Sequence, residues 1–212
     1  GNLHLRWGTH TRLDEADGRL ELMAKAGCIY IGFGAESASA NVLERMNKGG
    51  FMLKRGLTRI NGYDFPLTMT EGIRHCSAVG IHSNCTWIMG YPGETLADLK
   101  TSVAFILWQA EETGVEVNQK MFVATAYPGT AMFREPRVRE LLSKHFGLHF
   151  DPLGQPLRDD SLRRYVEELD DASKVLTGTD GAPINYGELT VEQFLLAREY
   201  IDQGQIEKIL DM

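Results

Sequence analysis

The chain has 212 residues, of which 43% are hydrophobic and 24% charged, with a net charge of −7. That size suits one domain, or one domain with an appendage, and the acidic balance disfavours a general affinity for nucleic acid or anionic membranes. No apolar run of about 18 residues predicts a membrane span, and the opening G-N-L-H-L-R-W has no signal-peptide anatomy, so the default expectation is a cytoplasmic protein.

In chain order, residues 4–7 predict a short strand whose end carries His10 and Arg12. Residues 14–26 predict a helix, with Leu13, Ala16, Leu20, Met23 and Ala24 at helical spacing. Asp14 is its candidate cap, Asp17 adds charge to the first turn, and Gly27 ends it. Residues 29–33 predict a buried strand, in which Gly32 and Gly34 let backbone or ligand approach closely. Residues 39–46 predict a short helix with Ser39 as cap, closed by residues 47–50. Residues 51–66, rich in Gly and basic side chains, read as a loop.

Residues 68–79 predict a helix with Ile73, Cys76 and Val79 on one side. Residues 81–89 predict a strand of mixed rather than strictly alternating pattern. Thr95 starts a helix with Asp98 three positions on. Its apolar face is Leu96, Leu99, Val103, Ile106 and Leu107, and Gly114 ends it. Residues 115–126 predict the next strand. Strands joined by connections of helical length argue a parallel sheet, hence an α/β fold. Beyond it, residues 136–146 predict a helix, 149–158 a loop, 160–176 a charged helix and 177–187 a loop. The last helix opens on Thr190 with Gln193 three residues later, a capping-box pattern. Its apolar side is Phe194, Leu195, Ala197, Ile201, Ile206 and Ile209.

Three stretches share one outline, an apolar run ending in a turn: I-Y-I-G-F-G-A-E-S at 29–37, W-I-M-G-Y-P-G-E-T at 87–95 and M-F-V-A-T-A-Y-P-G-T at 121–130. In α/β folds ligands bind at such strand ends. Glu36 there can accept from a ribose hydroxyl or an ammonium group; the alternative is an acid satisfied by helix N-terminal amides. Lys48 can pair with a ligand anion or complement a helix C-terminus. Glu94 reads as structural. Ser37 reads first as a turn or cap residue. Tyr127 either covers a ligand or belongs to a tight turn in which Pro128 fixes φ. Cys28, Cys76 and Cys85 are too few and scattered for a disulfide framework and read as small buried hydrophobes. No C-x-x-C pair or metal-like histidine spacing occurs, so no metal ligand is expected in this sequence.

F-G-A-E-S at 33–37 with V-L-E-R-M-N-K-G at 42–49 resembles the fourth strand and helix of radical S-adenosylmethionine enzymes, in the branch with a cobalamin-binding domain and its methylthiotransferase-like relatives. G-I-H-S-N-C-T-W-I-M-G-Y-P-G-E-T at 80–95 is similar to that family's fifth strand and turn. A-Y-P-G-T at 126–130 resembles the turn after its sixth strand, and W-G-T-H-T-R-L-D at 7–14 more loosely its third strand.

The resemblance implies a partial (β/α) barrel over residues 1–133, supplying the third to sixth strands of a six-stranded half-barrel, and a helical C-terminal extension over 134–212. It implies S-adenosylmethionine as cofactor, met by Glu36 and Lys48, with Ile88, Met89 and Gly90 offering backbone and apolar surface to adenine. Ser37, Tyr127 and Arg12 are lesser candidates for ligand contact. The family's 4Fe–4S cluster sits on a C-x-x-x-C-x-x-C loop that this sequence lacks, and its cobalamin domain lies upstream. The chain therefore resembles the C-terminal part of a radical enzyme, a cluster-dependent oxidoreductase with an unspecified substrate and no catalytic residue identifiable here. The uncovered first edge of the barrel implies self-association or pairing with an upstream domain. Two alternatives stay open: a non-catalytic half-barrel used as an interaction module, and an unrelated (β/α) enzyme with a phosphate or sugar ligand. No G-x-x-x-x-G-K-S/T loop supports the latter.

Overall fold

A computed structural model of the chain describes residues 5–16, 18–169 and 175–212. Four strands form one parallel sheet: β1 (Trp7–Thr11), β2 (Cys28–Glu36), β5 (His82–Met89) and β6 (Met121–Val123), in the order β1-β2-β5-β6. Each successive strand lies beside the previous one, as expected where helices carry the chain back. Helix α1 (Leu20–Lys25) joins β1 to β2, and α5 (Leu96–Thr113) joins β5 to β6. Between β2 and β5 run α2 (Ala40–Arg45), α3 (Gly49–Met52), an antiparallel hairpin of β3 (Leu57–Ile60) and β4 (Tyr63–Pro66), and α4 (Leu67–Ala78). The C-terminal part holds α6 (Ala131–Arg134), α7 (Pro136–Phe146), α8 (Asp160–Glu168), α9 (Val191–Asp202) and a closing 3-10 turn, Ile206–Asp211.

Strand β5 alternates strictly: Ser83, Cys85, Trp87 and Met89 are buried, while His82, Asn84, Thr86 and Ile88 are half-buried. The mixed pattern expected from its sequence gives way to strict alternation, with polar Ser83 on the buried face. Buried Gln109 Nε2 donates to the Ser83 carbonyl at 3.1 Å and to its hydroxyl at 3.5 Å, so the polarity is met inside. The buried set packs with Leu99, Val103, Phe105 and Ile106 of α5 and with Met69, Ile73 and Cys76 of α4. Trp87, Phe105, Trp108 and Phe65 make edge and tilted ring contacts there, with centroids 5.0–6.0 Å apart, geometries that suit the ring quadrupole.

Several boundaries differ from the sequence reading. The first predicted helix is split: a 3-10 turn at Leu13–Glu15 precedes α1, and Asp14 pairs with Arg12 instead of capping. Asp17 lies outside the described residues. Strand β2 continues three residues past Phe33. Residues 51–66 are largely ordered into α3 and the hairpin, with Phe65 fully buried. The hairpin turn is Asn61-Gly62, both at positive φ, a known short-range hairpin signal. The strand expected over 115–126 shrinks to Met121–Val123; before it, the N–H groups of Asn118 and Lys120 donate to the side-chain oxygens of Asn84 and Asn118 and not to a ladder. The charged helix ends at Glu168; residues 170–174 lie outside the described set, and Val175 and Leu176 are not helical.

Both predicted capping boxes form, Thr95 with Asp98 and Thr190 with Gln193. Gly114 takes the left-handed conformation that ends α5, with φ +66°. Phe194, Ala197, Ile201, Ile206 and Ile209 enter the same core as the sheet, whereas Leu195 is 42% exposed and belongs to the outer face. A second apolar cluster, including Ala126, Phe133, Val138, Tyr165 and Tyr186, forms beyond the end of β6. Among the described residues no helix is long and apolar enough to cross a membrane.

Candidate functional site

The carboxyl ends of β2, β5 and β6 open into one cavity of about 570 Å³, within the range of small-molecule sites. Glu36 from β2, Ile88 and Tyr91 from the end of β5, and Val123, Ala124 and Tyr127 from the end of β6 all line it. Lys48 and Met46 close it from the segment after α2.

Glu36 is held there by its backbone. It is the last residue of β2, at φ +67°, and the β2–β5 register slips between Gly34 and Glu36. A left-handed non-glycine residue at a bulge costs roughly 1–2 kcal/mol, and such strain gathers at functional sites. The residues after it are clamped: the Ser37 and Ser102 hydroxyls are hydrogen-bonded at 3.0 Å, and Ala38 N–H donates to Ser102 Oγ. Ser39 and Asn41 donate to Asp98. Burial opposes ionisation of Asp98, but hydrogen bonds from Ser39, Thr95 and Asn41 outweigh it, and its pKa falls below the usual value. Asp98 thus ends as a carboxylate that serves both the start of α5 and the clamp on β2.

Lys48 Nζ donates to Glu36 Oε1 and to Gly34 O, each at 3.1 Å. The two side chains are 30% and 22% exposed. A pair so open to water is worth about 0–1 kcal/mol, so a ligand can replace it at little cost. A carboxylate met by Lys48 and an ammonium or hydroxyl met by Glu36 would each gain a charge-assisted hydrogen bond, worth about 1.5–3 kcal/mol.

The other sequence candidates fall elsewhere. Ser37 is fully buried in the clamp. Met89 points into the core, one residue out of phase with Ile88. Gly90, at φ +77°, faces Phe194: a Cβ there would lie 2.9 Å from that ring. The space beside Gly90 is therefore filled by α9, not left open for a flat ligand. Arg12 pairs with Asp14 and stacks over Phe51, 3.8 Å from the ring centroid. It lines a separate, smaller hollow whose other wall is Lys48.

Glu94 lies in the turn before Thr95, not in the helix. It is fully buried; one oxygen accepts from Gly90 N–H and the other has no partner. Burial pushes its carboxyl up to about 8, although the Gly90 hydrogen bond pulls the other way. Tyr91, inside the same turn, lines the cavity and donates to Arg45 O at 3.4 Å, which joins the turn to the end of α2. Thr86, Met46, Phe122 and Met132 also line the cavity and escaped the sequence reading. Thr86 was within reach of it, since period-two alternation puts Thr86 on the face of Ile88.

The three free cysteines are buried. Burial pushes the Cys76 thiol up to about 12 and Cys85 higher still, which disfavours the thiolate that a metal requires. No group of three His, Cys, Asp or Glu among the described residues can hold a metal ion. These residues do not fit an iron–sulfur cluster.

No protein-family model matches the chain. Over 141 residues it is 26% identical to an uncharacterized methyltransferase of Pyrococcus horikoshii, covering 66% of this chain and 27% of that protein. It thus spans about a quarter of that relative's length. Among solved structures it is similar to the radical S-adenosylmethionine methyltransferase TsrM from Kitasatospora setae, determined with cobalamin and a 4Fe–4S cluster. The identity is 19% and the TM-score 0.46, over 66% of this chain and 22% of TsrM. It is also similar to the archaeal Elp3 of Methanocaldococcus infernus, at 14% identity and TM-score 0.44, over 95% of this chain and 42% of that one.

Proposed function

We propose that this chain is part of a radical S-adenosylmethionine enzyme of the cobalamin-dependent or methylthiotransferase-like kind. Its four parallel strands would be the third to sixth of a partial (β/α) barrel over residues 1–133, with residues 134–212 as a C-terminal extension. The cavity at the ends of β2, β5 and β6 binds S-adenosylmethionine. The observation that carries this reading is the exchangeable Glu36–Lys48 pair at the edge of an otherwise uncharged cavity. A zwitterionic aminoacyl group finds one complement for each of its charges there. The motifs at 33–37, 80–95 and 126–130 and the similarity to a methyltransferase support it.

In this reading Lys48 holds the cofactor carboxylate, Glu36 its amino or ribose groups, and Ile88 packs on the nucleoside. Tyr127 covers the mouth and excludes water. A bound cofactor supplies an activated carbon on a sulfonium centre; the chain's own share is to fix its position. Among the described residues β1 pairs with β2 alone, which supports pairing of its other edge with further strands or with a second copy.

Isothermal titration with S-adenosylmethionine tests the assignment. Saturable binding to the wild type, weakened at least tenfold in Glu36→Ala and in Lys48→Ala, is expected. Binding equal in all three proteins would overturn it.

A further inference from the structure

We infer that a second cavity, between α7 and α9, binds a small carboxylate with a hydrocarbon or aromatic body. This site goes beyond the cofactor reading and does not rest on it.

The cavity holds about 230 Å³, the room of about eight liquid waters. It shares no lining residue with the cavity at the strand ends. Helix α7 gives it Arg137, Leu141, Lys144 and His145, whose spacing of i, i+4, i+7 and i+8 is one face of a helix. Helix α9 gives Val191, Phe194 and Leu195 from its start, at the same periodicity. The chain from Asp180 to Leu189 closes the third side. In that wall the Asn185 side chain donates to Leu189 O and accepts from Gly187 N–H, each at 2.9 Å, so the wall is fixed without an occupant.

Its floor is apolar, with Ile184, Leu189 and Phe194 buried, while Val191 and Leu195 at the rim are 59% and 42% exposed. An occupant with a hydrocarbon body gains by covering that rim. The polar groups stand on the α7 wall, and they are donors. Lys144 has no hydrogen-bond or ion-pair partner among the described residues. Arg137 is paired with Glu188, but both side chains are about half exposed, so the pair is exchangeable. His145 Nδ1 accepts from Thr179 N–H at 3.1 Å, which places the ring proton on Nε2, as a donor. Asp180, the acid in this wall, already accepts from Ala182 N–H at 3.1 Å.

Donors beside an apolar floor match a carboxylate carried on a hydrocarbon. Its charge gains hydrogen bonds from Lys144 and His145, and its body replaces water over the floor. An amine would meet the like charges of Lys144 and Arg137. Phe194 and Asn185 also flank Gly90, and its neighbour Tyr91 lines the strand-end cavity. The two cavities thus back onto one turn, and a test must tell them apart.

Phenylacetate and phenylacetamide, titrated separately and followed by ligand-observed NMR, test the inference. The two have nearly the same shape and differ in charge. Lys144→Gln and Val191→Asp alter the cavity at exposed positions, Lys48→Ala alters the other cavity, and circular dichroism checks that each variant is folded. Phenylacetate should bind the wild type at least fivefold more tightly than phenylacetamide. Lys144→Gln should remove most of that preference and leave the amide within twofold. Val191→Asp should weaken phenylacetate at least fivefold, and Lys48→Ala should leave it within twofold. Equal binding of the two probes, phenylacetate binding that neither Lys144→Gln nor Val191→Asp weakens, or binding lost in Lys48→Ala would overturn the inference. If this pattern holds while S-adenosylmethionine fails to bind the wild type, the second site stands and the cofactor reading falls.

Discussion

Lys48 Nζ lies 3.1 Å from Glu36 Oε1, although the two residues come from different elements and Glu36 takes a backbone conformation that costs energy. The pair is half-buried but still reached by water on both sides, so it contributes only on the order of 1 kcal/mol where it stands. Its placement at a strand-end cavity is what makes it a candidate for binding. Removing either partner should therefore separate stability from affinity. Glu36→Ala and Lys48→Ala should each change unfolding free energy by less than about 1 kcal/mol, measured by urea denaturation, while weakening S-adenosylmethionine at least tenfold. A large loss of stability in either would mean that the pair holds the fold.

The left-handed conformation of Glu36 gives a sharper contrast. Glycine adopts φ +67° without strain, and alanine does not. Glu36→Gly should be more stable than Glu36→Ala by about 1 kcal/mol, with ligand binding lost in both. Equal stability of the two variants in denaturant would show that the bulge relaxes when the carboxylate is removed.

Glu94 predicts a pH dependence. Burial pushes its carboxyl up to about 8, from an ordinary value of 4.5. The native state therefore keeps a proton that the unfolded chain releases. The stabilisation is complete below about 4.5 and is lost as pH rises through 8, at about 1.4 kcal/mol for each unit of separation. Between pH 5 and pH 8 the wild type should lose melting temperature. Glu94→Gln, which keeps an acceptor for Gly90 N–H, should lose clearly less. Parallel pH profiles for the two proteins would contradict the buried-acid account.

Gly90 predicts a packing defect. A Cβ at that position meets Phe194 at 2.9 Å and sits on a positive-φ residue. Gly90→Ala should destabilise by about 1–3 kcal/mol. Shrinking the neighbour in Gly90→Ala/Phe194→Leu should recover part of that loss relative to Phe194→Leu alone. Additive effects in this cycle would show that α9 does not press on the turn.

Among the described residues strand β1 has one neighbour, so its outer edge offers backbone groups for pairing. Light scattering should give a mass above the 23.7 kDa of one chain that rises with concentration. A constant monomer mass at all concentrations would count against this edge as a pairing surface.

Local chemistry made much of the fold legible. Thr95 with Asp98, Thr190 with Gln193, and Gly114 mark helix ends through side chains and backbone freedom that act within a few residues. The three strand-and-turn stretches are readable for the same reason, and with them Glu36, Ile88 and Tyr127, whereas Lys48 stands out through the family resemblance. What escaped depends on distant partners. Gly90 reads as open until Phe194 covers it, and nothing local tells that Gln109 meets Ser83 from inside. Met46 and Phe122 reach the cavity only because the sheet brings β5, β6 and the end of α2 together. Residues 51–66 read as a loop from their glycine and basic content, yet they carry the short-range hairpin signal Asn61-Gly62.

The most direct measurement is a crystal structure of the chain with S-adenosylmethionine. The account predicts ligand density between the ends of β2, β5 and β6, with the methionyl carboxylate within hydrogen-bond reach of Lys48 and the Glu36–Lys48 contact exchanged for ligand contacts. Density at another place on the sheet, or an intact Glu36–Lys48 pair with the cavity empty at saturating ligand, would contradict it.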